Sequence, residues 1–255
     1  MFCTMRLLAL LLTAAGFASA QQPTFTVTPD TAGPGMARVV RVTAPNGATV
    51  IVGFPMCLFT SVHVGGPGGA AVASNNCPTP TPTSVSPCGI IDAPWSPPAA
   101  LGPRTYWLRC DWTIGGTPGT SWVDFRIEQP GDPVLTQLNQ PELDSTWPLA
   151  VSAPALAGAA YVAAASFTTD VGIPSSFGVI SVDPDPLFWL SFPAPFPGLF
   201  LGFQGALDGN GAASLGVVIP CIPALECNGI HVQVVIVPVS GPVLTNCLDG
   251  VMLAT

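Results

Sequence analysis

The sequence predicts an all-β protein of two antiparallel β-sandwich-like domains, the first of them immunoglobulin-like. Proline and glycine are both abundant, with 30 and 27 residues, and they divide the chain into short segments. Charged residues make up only 8% of the chain, too few for the polar faces of long amphipathic helices. Hydrophobic residues make up 49%, which argues against disorder. Short strands joined by turns fit this composition best.

The first twenty residues, 1–20, predict a signal peptide. Arg6 is the positive region, Leu7 to Ala15 is a short apolar run, and Ala18-Ser19-Ala20 is a small-x-small cleavage pattern. The alternative is a retained membrane anchor, but this apolar run is too short to span a bilayer. We therefore expect a secreted or cell-surface protein of a bacterium, with no membrane span after cleavage. Its remaining cysteines are then expected to act mainly as disulfide partners.

The charge distribution excludes some partners. The chain has a formal net charge of -8 and no lysine, and residues 127–255 contain carboxylates but no cation. Such an acidic surface repels phosphate backbones, so we predict that the protein does not bind nucleic acid. The same charge argues against anionic membranes. The simplest interpretation of this negative charge is that it keeps the protein soluble. A more specific interpretation is that the second half of the chain binds a cation.

Alternating side chains predict the strands of the first domain, residues 21–130. In the stretch 121–128, Val123, Phe125 and Ile127 share one face, which is expected to point inward. The other strands predicted in this domain are 24–29, 36–43, 48–54 and 105–112. Size and strand count alone suggest the immunoglobulin-like interpretation.

The stretch CPTPTPTSVSPC, residues 77–88, resembles a linker but has a cysteine at each end. Neither neighbouring set of strands is large enough to be stable alone, so we place the stretch as a loop within the first domain. We predict a Cys57–Cys110 bridge across the core and a Cys77–Cys88 bridge that closes the loop. Four cysteines allow three connectivities, so the other pairings stay open.

The second domain is predicted to be acidic and to comprise residues 131–255, after the turn-rich stretch 128–133. Its predicted strands are 148–152, 159–167, 177–182, 198–206, 212–219, 229–238 and 250–254. Cys221 and Cys227 are separated by five residues including a proline, which can turn back to close a ring. We predict a Cys221–Cys227 bridge and a buried, unpaired Cys247. The rival is an intermolecular bridge through Cys247.

The second half also resembles a known module. The residues that carry the resemblance are Leu207-Asp208, Gly211, Ile219-Pro220, Leu225, Gly229, Gln233 and Thr245-Asn246. This pattern is similar to the C-terminal β-module of many uncharacterised exported bacterial proteins, over about residues 131–255. That family often has Pro-Gly-Cys before its middle strand, whereas this chain has Gly172-Ile-Pro-Ser-Ser176. The resemblance implies fold and export, and it implies no activity.

Four residues of the second half are candidate metal ligands: Asp183, Asp185, Asp208 and Asn210. Asp183 and Asp185 lie on one side of an extended chain, and their hard oxygen atoms suit calcium. The simpler alternative is that all four are turn residues, because Asp and Asn are common in turns. A third alternative is a glycosidase pair, which needs two carboxylates across a cleft.

No residue is predicted to be catalytic or to bind a cofactor. The two histidines, His63 and His231, lie on strands, and the chain has no Gly-x-Ser-x-Gly nucleophile motif. Each histidine is more simply a solvent-facing or hydrogen-bonded strand residue. Whether the protein is an enzyme is left open by the sequence, with a non-catalytic role favoured.

An aromatic-rich stretch between residues 188 and 203 is the candidate ligand surface, with Trp189, Phe192 and Phe196 as its contact residues. The prolines within it exclude a membrane helix or a central strand. The alternative is packing in the core or between the domains.

Three function hypotheses follow. The first is a non-catalytic structural or adhesive protein at the cell surface or outside the cell, with other extracellular proteins or glycans as partners. The second is a carbohydrate-binding module in which calcium takes part. The third is a hydrolase that uses carboxylates.

Overall fold

The computed structural model of the chain shows an all-β architecture. The predicted signal peptide, Cys57 and Cys77 lie outside the described residues. Paired sheets enclose apolar cores, which confirms the predicted all-β sandwich-like fold. None of the helices in the described part is long and apolar enough to cross a membrane. The structure describes residues 22–28, 31–32, 36–54, 58–75, 81–98, 100–128 and 131–254.

Two sheets form the first sandwich. One has the strand order β1-β3-β8, and the other has the order β2-β10-β9-β4-β7, with β5 on β9 and β6 on β5. All of these pairs are antiparallel except β2 with β10. The strands are β1 (Thr24–Thr28), β2 (Thr31–Ala32), β3 (Arg38–Thr43), β4 (Val50–Phe54), β5 (Ser61–Val64), β6 (Ala70–Ser74), β7 (Thr81–Val85), β8 (Ile90–Trp95), β9 (Arg104–Ile114) and β10 (Thr117–Ile127).

The alternation seen in the sequence defines the first core. Val123, Phe125 and Ile127 of β10 are buried, as predicted, and they pack with Leu108 of β9 and Val42 of β3. Buried apolar surface of this kind contributes about 25 cal/mol per Å² to folding. The first sandwich is therefore held by the inward faces of both sheets.

A second pair of sheets forms the second sandwich, with orders β11-β12-β18-β16 and β17-β13-β19-β20, and with β21 on β19. The predicted strand 198–206 is interrupted at Gly202, whose positive φ breaks it into β16 and β17. The elements are β11 (Val134–Gln137), β12 (Ser145–Ser152), β13 (Ala160–Ser166), β14 (Ile173–Ser175), β15 (Gly178–Ile180), α1 (Pro186–Ser191), β16 (Phe200–Leu201), β17 (Gln204–Ala206), β18 (Ala212–Ile219), β19 (Gly229–Val237), β20 (Val243–Leu244) and β21 (Leu248–Val251). Single 3-10 turns lie at Pro154–Leu156 and Pro223–Leu225.

Strand β19 is buried on both faces. Ile230, Val232 and Val234 face the second core, while His231 and Gln233 on the opposite face are also buried. The second face is covered by the segment that contains Ser181. The backbone N–H of Ser181 donates a hydrogen bond to Gln233 Oε1, and its hydroxyl donates to Asp124 of the first sandwich. A strand covered in this way has no solvent-exposed polar face.

The stretch 77–88 contains an edge strand rather than only a loop. Residues 81–85 form β7, which pairs with β4 and places Pro82 opposite Gly53. Proline lacks a backbone N–H, so an edge position is where a sheet tolerates it.

The predicted Cys77–Cys88 and Cys221–Cys227 bridges are wrong, because Cys88 is bonded to Cys227. Their Cα atoms are 5.6 Å apart, and 139 residues separate them along the chain. Both residues have positive φ, and the bond joins the turn after β7 to the turn before β19. Short spacing suggested two local rings, whereas the bond joins the two sandwiches. It also supports an oxidising compartment.

The predicted Cys57–Cys110 bridge is wrong as well. Cys110 is a free thiol on the inward face of β9, fully buried within the first core. Burial raises the pKa of this thiol well above its ordinary value. A buried cysteine of this kind packs as a small apolar side chain, which is why an inward-facing position did not require a bridge.

Candidate functional site

The aromatic segment, defined as residues 186–207, supplies both core and surface side chains. Phe188, Phe200 and Phe203 are buried. Trp189 is 62% exposed and Phe196 is 40% exposed, while Phe192, the third predicted contact residue, is half-buried. The segment therefore divides into core residues and exposed residues, and a ligand-contact role for the exposed ones stays a prediction.

Specific hydrogen bonds fix the conformation of the aromatic segment. Asp185 is the N-cap of α1, and its Oδ1 accepts a hydrogen bond from the N–H of Phe188 at 2.9 Å. The chain after α1 folds back, because the N–H of Phe196 donates to the carbonyl of Leu190 at 2.8 Å. The side-chain amide of Gln204 donates to the carbonyl of Pro193. The exposed rings are therefore presented by an ordered turn.

The chemistry of the exposed part is apolar and uncharged. No charged residue occurs between Asp185 and Asp208, and Leu201 adds another exposed apolar side chain. Exposed aromatic rings suit contact with an apolar surface of a ligand or partner.

Asp183, a predicted calcium ligand, is fully engaged by hydrogen-bond donors. Its Oδ1 accepts from the N–H groups of Val171 and Gly172 at 2.8 and 2.7 Å. Its Oδ2 accepts from the hydroxyl of Thr168 at 2.6 Å and from the N–H of Asp170 at 2.8 Å. This carboxylate holds the loop between β13 and β14 in place.

The other predicted calcium ligands have similar local roles. Both oxygens of Asp185 accept N–H donors, since Oδ2 binds the N–H of Phe167 at 2.6 Å. Asp208 Oδ1 accepts from the N–H groups of Asn210 and Ala212, at 2.8 and 2.9 Å, within the turn before β18. These are the contacts of capping and turn residues, the alternative considered for the set.

The described residues contain two other groups with the spacing of metal ligands, and neither includes the predicted set. One is Cys88, Glu226 and Cys227, whose two sulfur atoms form the disulfide. The other consists of His231, Cys247 and Asp249. Sequence reasoning missed the second group, because its members come together only through the pairing of β19 with β21.

Polar contacts join the two sandwiches at a junction. The N–H of Trp122 donates to Asp170 Oδ1 at 2.9 Å, and the hydroxyl of Ser181 donates to Asp124 Oδ2 at 2.9 Å. Arg126 donates from Nη1 to the carbonyl of Leu244 at 2.8 Å. The outer face of β10 is thus covered by the second sandwich.

Two buried groups near the junction have shifted pKa values. Burial is the main cause that raises the pKa of Asp170 to about 6, and the charge of Asp183 adds to it. For His231, burial lowers the pKa and is the largest single effect. The hydrogen bond and charge of Asp249, with the charges of Asp124 and Asp183, together bring its pKa above the ordinary value.

A small cavity lies beside these groups. It has a volume of about 50 Å³, and Thr24, Asp170, Asn228 and His231 are among its lining residues. This volume admits a few water molecules, whereas small-molecule sites are typically about 300–1,000 Å³. The cavity therefore suits solvent rather than an organic substrate.

The second histidine, His63, is held in a structural position. Its Nε2 lies 2.7 Å from Ser61 Oγ, its Nδ1 lies 2.7 Å from the carbonyl oxygen of Gly69, and its ring packs edge-on against Trp122. Both ring nitrogens are therefore occupied by hydrogen bonds, as expected for a satisfied strand histidine.

No family model and no curated protein matches this chain. Among solved structures it is similar to E. coli alpha-2-macroglobulin in its native conformation, with 13% identity and a TM-score of 0.26, covering 92% of this chain and 14% of that one. It is also similar to dimeric latent PorU from Porphyromonas gingivalis, with 10% identity and a TM-score of 0.28, covering 91% of this chain and 20% of that one. This chain thus spans a small part of each of these longer chains.

Proposed function

We propose that this protein is an exported, non-catalytic module of structural or adhesive type that contacts its partner through the aromatic segment. The observation that carries the proposal is the exposure of Trp189 and Phe196 on a turn fixed by the Asp185 cap. Exposed aromatic side chains of this kind are enriched at interaction surfaces. Export is supported by the Cys88–Cys227 disulfide.

The junction supports a structural role. A disulfide and several hydrogen bonds connect the two sandwiches, so that the aromatic segment of the second sandwich is carried on a body anchored to the first. A rigid body loses less conformational entropy on binding than a flexible one does. This arrangement suits a protein that transmits or resists force between partners.

A carbohydrate-binding module is the second candidate, because the exposed rings lie in a stretch without charge. Calcium has less support as a participant, since the carboxylates of Asp183 and Asp185 already accept hydrogen bonds on both oxygens. The hydrolase hypothesis has the least support, because the same two carboxylates would have to lose these donors to act as acid or base.

The test compares the Trp189→Ala/Phe196→Ala double variant with the wild-type protein on a glycan array and on immobilised cell-surface proteins of the producing bacterium. Leu138→Ala is the matched control, since Leu138 is 63% exposed and lies outside the aromatic segment. We expect the double variant to lose at least tenfold in binding and the control to bind like wild type.

The immobilised material to which the protein binds decides between the two candidate functions. Binding to glycans alone would favour the carbohydrate-binding module, whereas binding to protein surfaces would favour the adhesive role. Equal binding by the double variant and the wild type would overturn the assignment of the aromatic segment.

A further inference from the structure

We propose that His231, Cys247 and Asp249 bind one divalent transition-metal ion of the zinc type. The candidate ligand atoms, one from each side chain, all lie within 4.8 Å of one another. His231 is on β19, and its register partner on β21 is Asp249. Cys247 lies two residues before Asp249, where side chains of an extended chain point to the same side.

An unsatisfied oxygen provides a second, independent indication. The Asp249 side chain is only 3% exposed, and its Oδ1 lies 2.7 Å from His231 Nδ1. Its Oδ2 is buried and has no hydrogen-bond partner among the described residues. Leaving a buried carboxylate oxygen without a partner destabilises the folded state. A cation bound at this oxygen would remove that cost.

The charges of the three ligands balance a divalent ion. A thiolate from Cys247 and a carboxylate from Asp249 supply two negative charges, and His231 binds as neutral imidazole. Together with a divalent cation they form a neutral group, which is the form that a buried site favours. The nearby carboxylates of Asp124 and Asp183, which also act on His231, add to the attraction for a cation.

The donor types select the metal. One nitrogen, one sulfur and one oxygen form a borderline-soft set that suits zinc and related transition metals. Calcium and magnesium prefer oxygen ligands alone. This site therefore differs in residues and in chemistry from the calcium set expected from the sequence.

The surroundings leave room on the far side of the imidazole. A Cβ atom at Gly229 would lie 3.0 Å from His231 Nε2, so a glycine keeps that nitrogen accessible to the adjoining cavity. Metal-bound histidines commonly donate their other ring N–H to a water or an oxygen acceptor. Water in the cavity can take this role.

The test uses the full-length mature protein, stripped of metal and titrated with zinc by calorimetry, and then with cobalt by absorption spectroscopy. We expect one zinc ion per chain and a thiolate-to-cobalt charge-transfer band. Cys247→Ser should abolish the band and weaken zinc binding at least tenfold, and Asp249→Asn should weaken zinc binding similarly. Cys110→Ser is the matched control, since it removes a buried thiol outside the group, and it should bind like wild type.

A second readout keeps the test decisive if a variant folds poorly. Zinc should raise the melting temperature of the wild-type protein more than magnesium at equal ionic strength does, because an ion that binds only the native state stabilises it. Absence of zinc binding by the wild-type protein would overturn the proposal. Unchanged zinc binding by folded Cys247→Ser and Asp249→Asn would also overturn it.

Discussion

At the scale of single residues, side-chain carboxylates organise the loops of the second sandwich. Asp183 accepts four hydrogen bonds, two on each oxygen, while Asp208 accepts its two bonds on Oδ1 alone. An asparagine can reproduce the second pattern but not the first, because its NH₂ group cannot accept a hydrogen bond. This difference makes the two residues a matched pair.

We predict that Asp183→Asn destabilises the protein while Asp208→Asn leaves its stability almost unchanged. In the first variant the new NH₂ group would face two donors and leave them unsatisfied, at a cost of roughly 1–3 kcal/mol or more. Urea denaturation followed by circular dichroism measures both values. Similar losses for the two variants would contradict the hydrogen-bond assignment.

The raised pKa of Asp170 predicts that the stability of the protein depends on pH. Because its folded pKa of about 6 is raised above the ordinary value, the folded state binds more protons than the unfolded state between those two pKa values. The contribution of Asp170 to the free energy of unfolding therefore falls as pH rises from about 4 to above 6. His231 and Asp183 are the charged groups that act on it.

We predict that Asp170→Asn is more stable than wild type near neutral pH, by up to roughly 3 kcal/mol, and that the difference disappears near pH 4. Asparagine keeps an oxygen acceptor for the N–H of Trp122. Asp92→Asn is the control of opposite sign, because the hydrogen bond from Arg41 lowers the pKa of Asp92 and its contribution is lost in acid. A wild-type advantage over Asp170→Asn at neutral pH would contradict the account.

At the scale of elements, the β9–β10 pair depends on a glycine. Gly119 lies opposite Trp112, and a Cβ atom there would lie 2.3 Å from the indole ring. The indole N–H also donates to the Ser121 hydroxyl at 3.0 Å. The missing side chain therefore lets the ring lie across the neighbouring strand.

We predict that Gly119→Ala destabilises the protein by about 1–3 kcal/mol, because the added methyl group displaces the Trp112 ring. Gly102→Ala is the control, since its Cβ would have no neighbour within 4 Å and its stability should change by less than about 0.5 kcal/mol. Thermal unfolding followed by tryptophan fluorescence measures both. Equal stability of the two variants would refute this packing.

Elements with a clear alternation could be predicted from the sequence, and those shaped by their neighbours could not. The stretch 121–128 showed its inward face directly, because one side of β10 packs on its own core. β19 is buried on both sides, so no pattern in it could reveal which face meets the first sandwich. β7 contains Pro82 and resembled a loop, although its edge position tolerates the proline.

The candidate site was predictable only in part. The exposed rings of the aromatic segment were proposed from composition, but their division between core and surface depends on the three-dimensional packing. The cap of α1 had a signal in the sequence, since an Asp followed by Pro is a typical helix start. The proximity of His231 and Asp249 had no such signal, because it arises from strand register.

At the scale of the whole molecule, a single covalent bond connects distant parts of the chain. The Cys88–Cys227 bond closes a loop with a sequence separation of 139 and lies between the two sandwiches. Cross-links over long loops restrict the unfolded chain strongly. The bond also anchors the body that presents the aromatic segment.

We predict that Cys88→Ser and Cys227→Ser each lower the free energy of unfolding by about 2–5 kcal/mol. The double variant should lose no more than the larger of the two single losses, because either change removes the same bond. Guanidinium denaturation measures the three values. Additive losses would show that the two cysteines stabilise the protein separately.

A disulfide joins the two β-sandwiches into one body, and non-reducing peptide mapping by mass spectrometry tests this claim most directly. The structure predicts a cross-linked peptide that contains Cys88 and Cys227 and disappears on reduction. A Cys77–Cys88 peptide together with a Cys221–Cys227 peptide would contradict the claim, because each sandwich would then hold its own local ring and no covalent bond would join them.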